Sequence, residues 1–534
     1  MIGVAGTRAL IRLALRRDRV LLPVWVVVMV GMTAATSSAG RDLFTTVTSR
    51  IDAAAAINGS PSFVAMLGRI YDPTSLGNTS LIKLTTFGAA TLGVVASMLV
   101  VRHTRREEEN GRLELLGAAV VGRQAALAAA LIVTLGTMLV IGALTSLALV
   151  ATGLPTGGAW AFGMAWAATG MTFAAIAAVA AQLTMSARSA NAIALGSLGL
   201  FYALRAIGDT VGTADEPAIW SWLSPIGWGQ QVRAFAGDRV GVLGYPIGAT
   251  VVILAVAFVL ASRRDLGAGL LPDRAGAPMA PPSLTTPLGL AWRLQRGPFL
   301  GWVVGYLMLG FLTGNLAASV GSFASTDQLR DLIRRLGGTQ VLTDAFVAYM
   351  FGFTACLTAA YSITVALRLR AEEESGLAEQ MLATSVHRRT WLASHVTIAV
   401  GGATVLSLVA GLSAGIANAM RTGVGSDVAG AVAASVVYLP AIWVITGLAV
   451  ALFGYLPRAS SSAWGVLVAI FLLDELGALL GLPVWARDLS PFAHIPRLPG
   501  NAMTWTPLVI LTALALGLLA AGVLRFRRRD LTTA

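Results

Sequence analysis

Long apolar runs, each long enough to cross a lipid bilayer as a helix, constrain this chain more than any other feature. The 534 residues are 56% hydrophobic and only 12% charged. We count twelve apolar runs of about 20 residues, the length that spans the hydrocarbon layer as an α-helix. The runs are continuous rather than alternating, which argues against a membrane β-barrel. The sequence therefore predicts an all-α polytopic membrane protein with twelve transmembrane helices.

The chain also contains an internal duplication. The sequence Arg-Arg-Asp-Leu at 263–266 recurs at 528–531, 265 positions later. Two polar segments, 105–124 and 370–389, match at the same offset, and each carries three consecutive glutamates between apolar runs. We call these two segments the acidic loops. Six spans in each half give both halves the same orientation, which predicts two parallel six-helix repeats about an axis along the membrane normal.

The repeats divide the chain into three parts. We place the first six-helix half at residues 1–262, a proline-rich cytoplasmic linker at 263–287 and the second half at 288–534. Each half begins with a basic amphipathic stretch, which predicts a connecting helix on the cytoplasmic membrane surface. Its marker residues are Arg12 and Arg16 in the first half and Arg293 in the second.

The net charge of +12 comes almost entirely from arginine, since Lys83 is the only lysine. Arginine clusters between the apolar runs are typical of cytoplasmic loops, so we expect both termini in the cytoplasm and no nucleic-acid partner. Lys83 lies between Ile82 and Leu84 and cannot serve a P-loop, so ATP chemistry would have to come from a partner. The single cysteine, Cys356, and four scattered histidines have no metal-ligand spacing, so we expect no metal site.

The acidic loops combine charge with a short apolar stretch. Arg105 faces Glu109 at i,i+4 spacing, and Glu108 faces Arg112 in the same way, which favours a short polar helix. Gly111 then breaks that helix. The expected result is an apolar knob ringed by charge, which suits docking, although a solvated loop that merely obeys topology remains an alternative. The knob consists of Leu113, Leu115 and Leu116 in the first copy and of Met381 and Leu382 in the second.

The pattern E-x-x-x-G-x-x-E-x-L-x-x-x-x-V-x-R in these loops resembles the cytoplasmic loop of ABC-2-type permeases. In the first half it is carried by Glu107, Gly111, Glu114, Leu116, Val121 and Arg123. In the second half, with methionine in place of leucine, it is carried by Glu372, Gly376, Glu379, Met381, Val386 and Arg388. The doubled length and the basic start resemble the actinobacterial permeases that export polyketide antibiotics and other drugs. The resemblance extends over the whole chain.

The resemblance implies a type V ABC exporter-like fold and a transport subunit that is not an enzyme. Two copies of a separate ABC ATPase, which would bind ATP and magnesium, would dock under the acidic loops, so the chain itself would need no cofactor. ATP binding would switch the bundle from inward-open to outward-open and release a small amphipathic compound through the bacterial plasma membrane, among its lipids. The implied coupling residues are Arg105, Glu107, Glu108, Gly111, Glu114, Leu116 and Arg123, with Glu372, Glu373, Gly376, Glu379, Met381 and Arg388.

Spans 2, 5, 8 and 11 are implied to line the path. The wall residues would be Phe87, Met98, Phe201, Tyr202, Phe353 and Phe471, each of which could equally pack against a neighbour or lipid. Charged residues near the outer ends of spans 5 and 11 are costly to bury. The residues are Arg205, Asp209, Asp474 and Glu475. Two interpretations are open: the four charges pair across the pseudo-axis as an outer gate, or they mark the ends of the helices and face water.

Two other classes of protein stay open. A proton-driven secondary transporter can have six plus six parallel spans, but it needs intramembrane carboxylates, and only Asp474 and Glu475 are serious candidates. A membrane enzyme such as a lipid-linked transferase needs catalytic groups gathered on outer loops, and no spacing connects those available. The favoured interpretation is an export permease powered by a partner ATPase, with a substrate that the sequence does not name.

Overall fold

The computed structural model shows a helical protein made of two compact units, Met1–Gly276 and Ala277–Ala534. It describes residues 4–111, 121–213, 216–265, 267–271, 278–319, 339–423, 425, 427–476 and 482–531. Across these ranges there is no β-strand. Eleven of the described helices are long and apolar enough to cross a membrane, and Ser462–Asp474 is apolar but shorter. The prediction of an all-α polytopic membrane protein is confirmed, whereas the count of twelve spans stays a prediction.

The first unit follows the predicted helix order, in which a short first helix, a long apolar helix and further short helices precede the remaining long helices. Its helices are α1 (Thr7–Arg17), α2 (Leu21–Leu43), α3 (Val47–Asn58), α4 (Pro61–Leu67), α5 (Leu76–Ser80), α6 (Ala89–His103), α7 (Arg105–Glu109), α8 (Ala125–Ala151), α9 (Thr156–Leu183), α10 (Ala187–Val211), α11 (Ile219–Trp222), α12 (Pro225–Gln231) and α13 (Gly244–Arg263).

A π-helical turn, Leu84–Gly88, directly precedes α6 at the start of the second span. Trp166 of α9 is buried, and its indole N–H donates to the Leu84 carbonyl at 3.1 Å. A π turn shifts the register of the backbone hydrogen bonds, and such turns are frequent at functional sites. Here the turn carries Phe87, one of the residues predicted to line the path, on the partly exposed face of the helix.

The second unit repeats this plan with fewer described outer elements. Its helices are α14 (Pro287–Ser319), α15 (Thr339–Ala366), α16 (Arg368–Glu374), α17 (Leu377–Leu382), α18 (Arg388–Thr422), α19 (Asp427–Val436), α20 (Leu439–Tyr455), α21 (Ser462–Leu476), α22 (Val484–Arg487) and α23 (Trp505–Arg528).

The packing of α14 against α18 depends on small residues. A Cβ on Gly314 would lie 2.0 Å from the Ala414 carbonyl oxygen, and one on Gly310 would lie 2.5 Å from the Ala410 carbonyl oxygen. Small residues at this spacing let membrane helices approach each other closely. Such close packing matters because lipid tails are as apolar as the helix surfaces, so no hydrophobic force drives the helices together. Tyr306 on the same helix bonds the Thr358 hydroxyl at 2.9 Å and ties α14 to α15.

The two halves begin differently. In the first unit α1 ends at Arg17 and α2 starts at Leu21, with buried Asp18 between them. The Asp18 carboxylate pairs with Arg102 at 2.8 Å and His103 at 2.7 Å, which fixes the turn against the C-terminal end of α6. In the second unit the predicted boundary between connecting helix and span is absent, because α14 runs through both segments without a break.

Candidate functional site

Each acidic loop begins with a short helix that a left-handed glycine terminates. Gly111 has φ 68° and Gly376 has φ 74°, a conformation that side chains other than glycine rarely adopt. A Cβ would meet nothing within 4 Å at either position, so backbone conformation rather than space requires glycine. After Gly376 the chain starts a new helix, α17. Glu114 and Leu116 of the first loop lie outside the described residues.

The middle glutamate of each triplet is buried and pairs with the arginine that follows the last long helix of its own half. Arg264 Nη2 lies 2.5 Å from Glu108 Oε1, and Arg264 Nη1 lies 2.9 Å from Oε2. Arg529 makes the same two-pronged contact with Glu373, at 2.7 and 2.9 Å. Such paired, charge-assisted hydrogen bonds are the strong and geometrically specific kind. The sequence predicted both glutamates but neither arginine partner.

The arginine at the far end of each loop reaches the same place. The Arg123 guanidinium donates to the Arg264 carbonyl oxygen. The Arg388 guanidinium donates to the Arg529 carbonyl oxygen at 2.6 Å. In each half, therefore, the second arginine of the repeated Arg-Arg-Asp-Leu sequence contacts both ends of the acidic loop.

The expected Arg105–Glu109 pair is wrong. Arg105 is buried and pairs with Glu108, one residue nearer, at 2.7 Å. Nε and Nη2 of Arg105 donate to the Ala181 carbonyl at 3.0 and 2.6 Å. These bonds hold the Arg105 side chain in the position from which it reaches Glu108. Glu109 instead accepts from the Ala187 amide at 2.9 Å, at the start of α10. Arg112 lies outside the described residues.

In the second loop, i,i+4 pairs do form. Arg370 Nε lies 2.6 Å from Glu374 Oε1, and Arg368 Nε lies 3.0 Å from Glu372 Oε1. Glu372 is buried and also accepts from the Trp391 indole and from His395, each at 3.3 Å.

The first glutamate of each triplet contacts the first helix of its half, either directly or through one other side chain. Glu107 pairs with Arg17 at the end of α1. Glu372 reaches α14 through His395, whose Nδ1 lies 3.4 Å from the amide nitrogen of buried Gln295. These contacts tie the start of each half to its acidic loop, and sequence reasoning missed His395 and Gln295 because the equivalent positions of the first half hold different residues, Ala130 and Asp18.

Part of α17 is exposed at the surface of the second loop. Glu379 is exposed, and so is Leu377, with 52% of its surface accessible. Met381 and Leu382, which were expected to form the apolar knob, are half-buried against the core. The exposed apolar side chain of α17 is therefore Leu377, since Met381 and Leu382 pack against the core. Arg12 and Arg16 on α1, and Arg293 on α14, are exposed as well.

Four of the predicted wall residues form one aromatic pair in each half. Phe87 and Tyr202 stack with ring centroids 6.3 Å apart, and Phe353 and Phe471 meet edge to face at 6.3 Å. Each pair joins span 2 to span 5, or span 8 to span 11, and all four side chains are at least partly exposed. Met98 is exposed separately, and Phe201 packs on Phe173 at 6.2 Å.

We expect Phe87→Ala and Phe353→Ala, tested singly, to reduce efflux of aromatic amphipathic compounds about two- to tenfold, since one aromatic contact contributes ~0.5–1.5 kcal/mol. Dye efflux from cells with matched protein levels measures this. Phe311→Ala is the control, because Phe311 is similarly exposed on α14 but belongs to neither pair. Equal losses in all three variants would show that the pairs have no special place in transport.

The interpretation that Arg205 and Asp209 face water is wrong. Arg205 is completely buried, and Asp209 is 3% exposed. Their side chains pair at 3.2 Å, and Ser221 donates to Asp209 at 2.7 Å. Arg205 also donates to the Ala65 carbonyl at 2.8 Å, near the end of α4. These partners, all within the first unit, replace the water that the charges would otherwise require.

The corresponding acid of the second half is exposed. Asp474 accepts from Ser490 at 2.9 Å. Glu475 lies on α21, and its side chain is outside the described residues. Pairing of the four charges across the pseudo-axis stays a prediction.

A small cavity of about 20 Å³ lies under the outer loops of the first unit, between Trp166, Gln230 and Arg233. Arg233 sits over the Tyr71 ring, with its Cζ 4.2 Å from the ring centroid. Burial raises the pKa of Tyr71 to about 12, so this hydroxyl stays protonated at neutral pH. The cavity has room for a water molecule but not for a drug-sized compound, so it is not a substrate site.

A duplicated helical chain, with aromatic pairs between its spans and charged loops at their ends, defines a polytopic membrane permease. The chain belongs to the multidrug efflux permease family. It is 42% identical over 532 residues, which is 99% of its length and 96% of the relative, to the multidrug efflux system permease protein Rv1217c of Mycobacterium tuberculosis (strain ATCC 25618 / H37Rv). The family described as multidrug efflux system permease Rv1217c, C-terminal domain, matches residues 284–527.

Proposed function

We propose that this chain is the membrane-spanning permease of an ATP-driven ABC exporter that moves amphipathic compounds out of the cell. Two copies of a separate ATPase, which binds the ATP and magnesium, would dock under the two acidic loops. The arginine clusters beside those loops favour a location in the bacterial plasma membrane with both termini in the cytoplasm. The permease name of the relative supports the transport role, and its printed substrate class, drugs, is the one we propose here.

One observation supports docking on the loops more than any other. Within the second acidic loop, Glu372 and Glu373 are buried in contacts of the chain's own, whereas Leu377 and Glu379 on α17 are both exposed. A short helix that exposes both an apolar and a charged side chain, directly after a helix held by buried ion pairs, is the kind of surface that a partner recognises. The duplication predicts two such surfaces and hence two ATPase subunits.

Reconstitution tests the proposal. The chain is co-expressed with a candidate ABC ATPase from its own genome, purified, and placed in proteoliposomes loaded with a panel of amphipathic dyes. We expect a stable complex and dye movement that requires ATP and survives collapse of the proton gradient. Transport that stops when the gradient collapses with ATP intact would support a proton-driven transporter instead. Absence of any complex and of any ATP dependence contradicts the proposal.

We expect Glu379→Arg to weaken co-purification of the ATPase at least tenfold, about 1.4 kcal/mol, because it reverses the charge of an exposed docking residue. Binding of the labelled ATPase to the purified chain measures the change. Glu216→Arg is the matched control, since Glu216 is equally exposed but lies on an outer segment. If both variants bind like the wild type, α17 is not part of the docking surface.

A further inference from the structure

The two halves share one polar arrangement that the proposed docking surface does not explain. We call it the clasp: the middle glutamate, an arginine near the far end of the acidic loop, and the arginine directly after the final long helix of that half. The first clasp is Glu108, Arg123 and Arg264, and the second is Glu373, Arg388 and Arg529.

Burial separates the clasp from a docking surface. The side chains of Glu108 and Glu373 are only 7% and 3% exposed, and those of Arg264 and Arg529 are 8% and 9% exposed. A partner protein cannot reach groups so enclosed. Glu374, the next residue along, is 54% exposed and pairs only within its own helix turn in the ion pair with Arg370. The middle glutamate therefore acts inside the chain.

The clasp links each acidic loop to the last long helix of its half. Arg264 directly follows Arg263, the last residue of α13, and Arg529 directly follows Arg528, the last residue of α23. The side chain of each arginine holds the start of the acidic loop, and its carbonyl holds the loop's far end. Both limbs of the loop thus converge on a single residue at the end of the last helix of that half, so the loop cannot move without that helix.

The surroundings of the two clasps differ, although their contacts match. Arg264 also bonds the Gln182 side chain at 2.7 Å and the Ala268 carbonyl at 2.8 Å. Arg529 instead lies over the rings of Phe453 and Phe526, with its Cζ 4.9 and 5.2 Å from their centroids. What the two halves keep in common is the link between loop and helix, not the packing around it.

We propose that Arg264 and Arg529 are positioning residues that transmit displacement of each acidic loop to the last helix of its half, so that α13 and α23 move with the loop during transport. This inference rests on the proposed function, because it describes how a displacement of the acidic loop by the ATPase would reach the membrane helices. In this scheme the clasp stays closed throughout the cycle. Breaking it leaves the ATPase bound and active while the membrane helices no longer follow.

The test uses the full chain with its ATPase in proteoliposomes and compares Glu373→Gln with Glu374→Gln. The two residues are adjacent, and only the first belongs to a clasp. We expect Glu373→Gln to keep ATPase binding and at least half of its hydrolysis rate, and to lower the dye moved per ATP roughly tenfold, because it removes a charged hydrogen-bond pair. Glu374→Gln should match the wild type within about twofold, as expected of an exposed pair.

Rescue separates transmission from folding. Glu373→Arg combined with Arg529→Glu restores opposite charges at the same two positions, and it should recover most of the dye moved per ATP that Glu373→Gln loses. Arg529→Lys keeps the charge but not the two-pronged contact, so it should fall between the wild type and Glu373→Gln. Melting temperature is recorded for every variant.

Each remaining outcome overturns the inference. If Glu373→Gln loses the ATPase itself, the glutamate serves docking; if it transports like Glu374→Gln, the clasp transmits nothing. Loss of the fold in both Glu373→Gln and Arg529→Lys would make the clasp a packing element only. A wild-type chain that binds no ATPase would instead contradict the proposed function, and the coupling role with it.

Discussion

Asp209→Ala is expected to lower the free energy of unfolding of the first unit by ~3–5 kcal/mol, the cost of leaving one member of a buried ion pair without its partner. Arg205 is completely buried and would retain only backbone carbonyls as acceptors, including that of Ala65 at 2.8 Å. Ser221 would lose its acceptor as well. Thermal melting of the detergent-purified chain, followed by tryptophan fluorescence, measures the loss.

Two control variants distinguish the effect of leaving a buried charge unpaired from the effect of removing any carboxylate. Asp42→Ala removes an exposed carboxylate and should leave melting unchanged within about 0.5 kcal/mol. Arg205→Met with Asp209→Leu removes both charges and should recover much of the stability, because paired apolar replacements often match a buried ion pair. If Asp209→Ala melts like Asp42→Ala, the Arg205–Asp209 pair contributes nothing to the fold of the outer segment.

This pair also indicates how the outer surface of the first unit is assembled. Arg205 lies on α10, but its carbonyl partners lie near the end of α4, about 140 residues earlier. Arg69 extends the same junction, donating to the carbonyl of Asp209 at 2.9 Å and to that of Gly212 at 2.7 Å. Two arginines thus anchor α4 and the turn after it to α10, and the loss of the Asp209 carboxylate should loosen this junction.

Periodicity was enough to predict an all-α polytopic membrane protein with the acidic segments between its long helices, because these are properties of local sequence. It was not enough to predict partners. Arg105 can meet either Glu108 or Glu109 on an isolated helix, and carbonyls from distant segments decide between them. Likewise, Glu108 and Glu373 each lie 156 residues from the arginine that binds them. No spacing rule covers such a separation.

The three glutamates of each triplet illustrate the same limit. The sequence presents them as equivalent charges, whereas the fold gives them different surroundings. In the second loop, Glu372 and Glu373 are buried and Glu374 is exposed. Charge count alone could predict where the loop lies, but only the contacts distinguish an internal link from a surface that faces a partner.

Gly314→Ala is expected to destabilise the second unit by ~1–3 kcal/mol or more, because the added methyl group overpacks a helix crossing. Its Cβ would lie 2.0 Å from the Ala414 carbonyl oxygen, a backbone atom that cannot move aside by rotating a side chain. The helices must separate, and the contacts of Gly310 with Ala410 lie on the same face one turn away. Melting of the purified chain measures the loss.

Gly305→Ala is the matched control, because it adds the same methyl group to the same helix where nothing lies within 4 Å. Alanine favours helix over glycine by about 1 kcal/mol, so this variant should melt at or slightly above the wild-type temperature. Opposite signs for the two changes would show that close approach of α14 and α18, rather than helix propensity, requires glycine at 314. Equal melting of both variants would mean that α14 can shift away from α18 at little cost, and the crossing would then be too loose to hold the start of the second half in place.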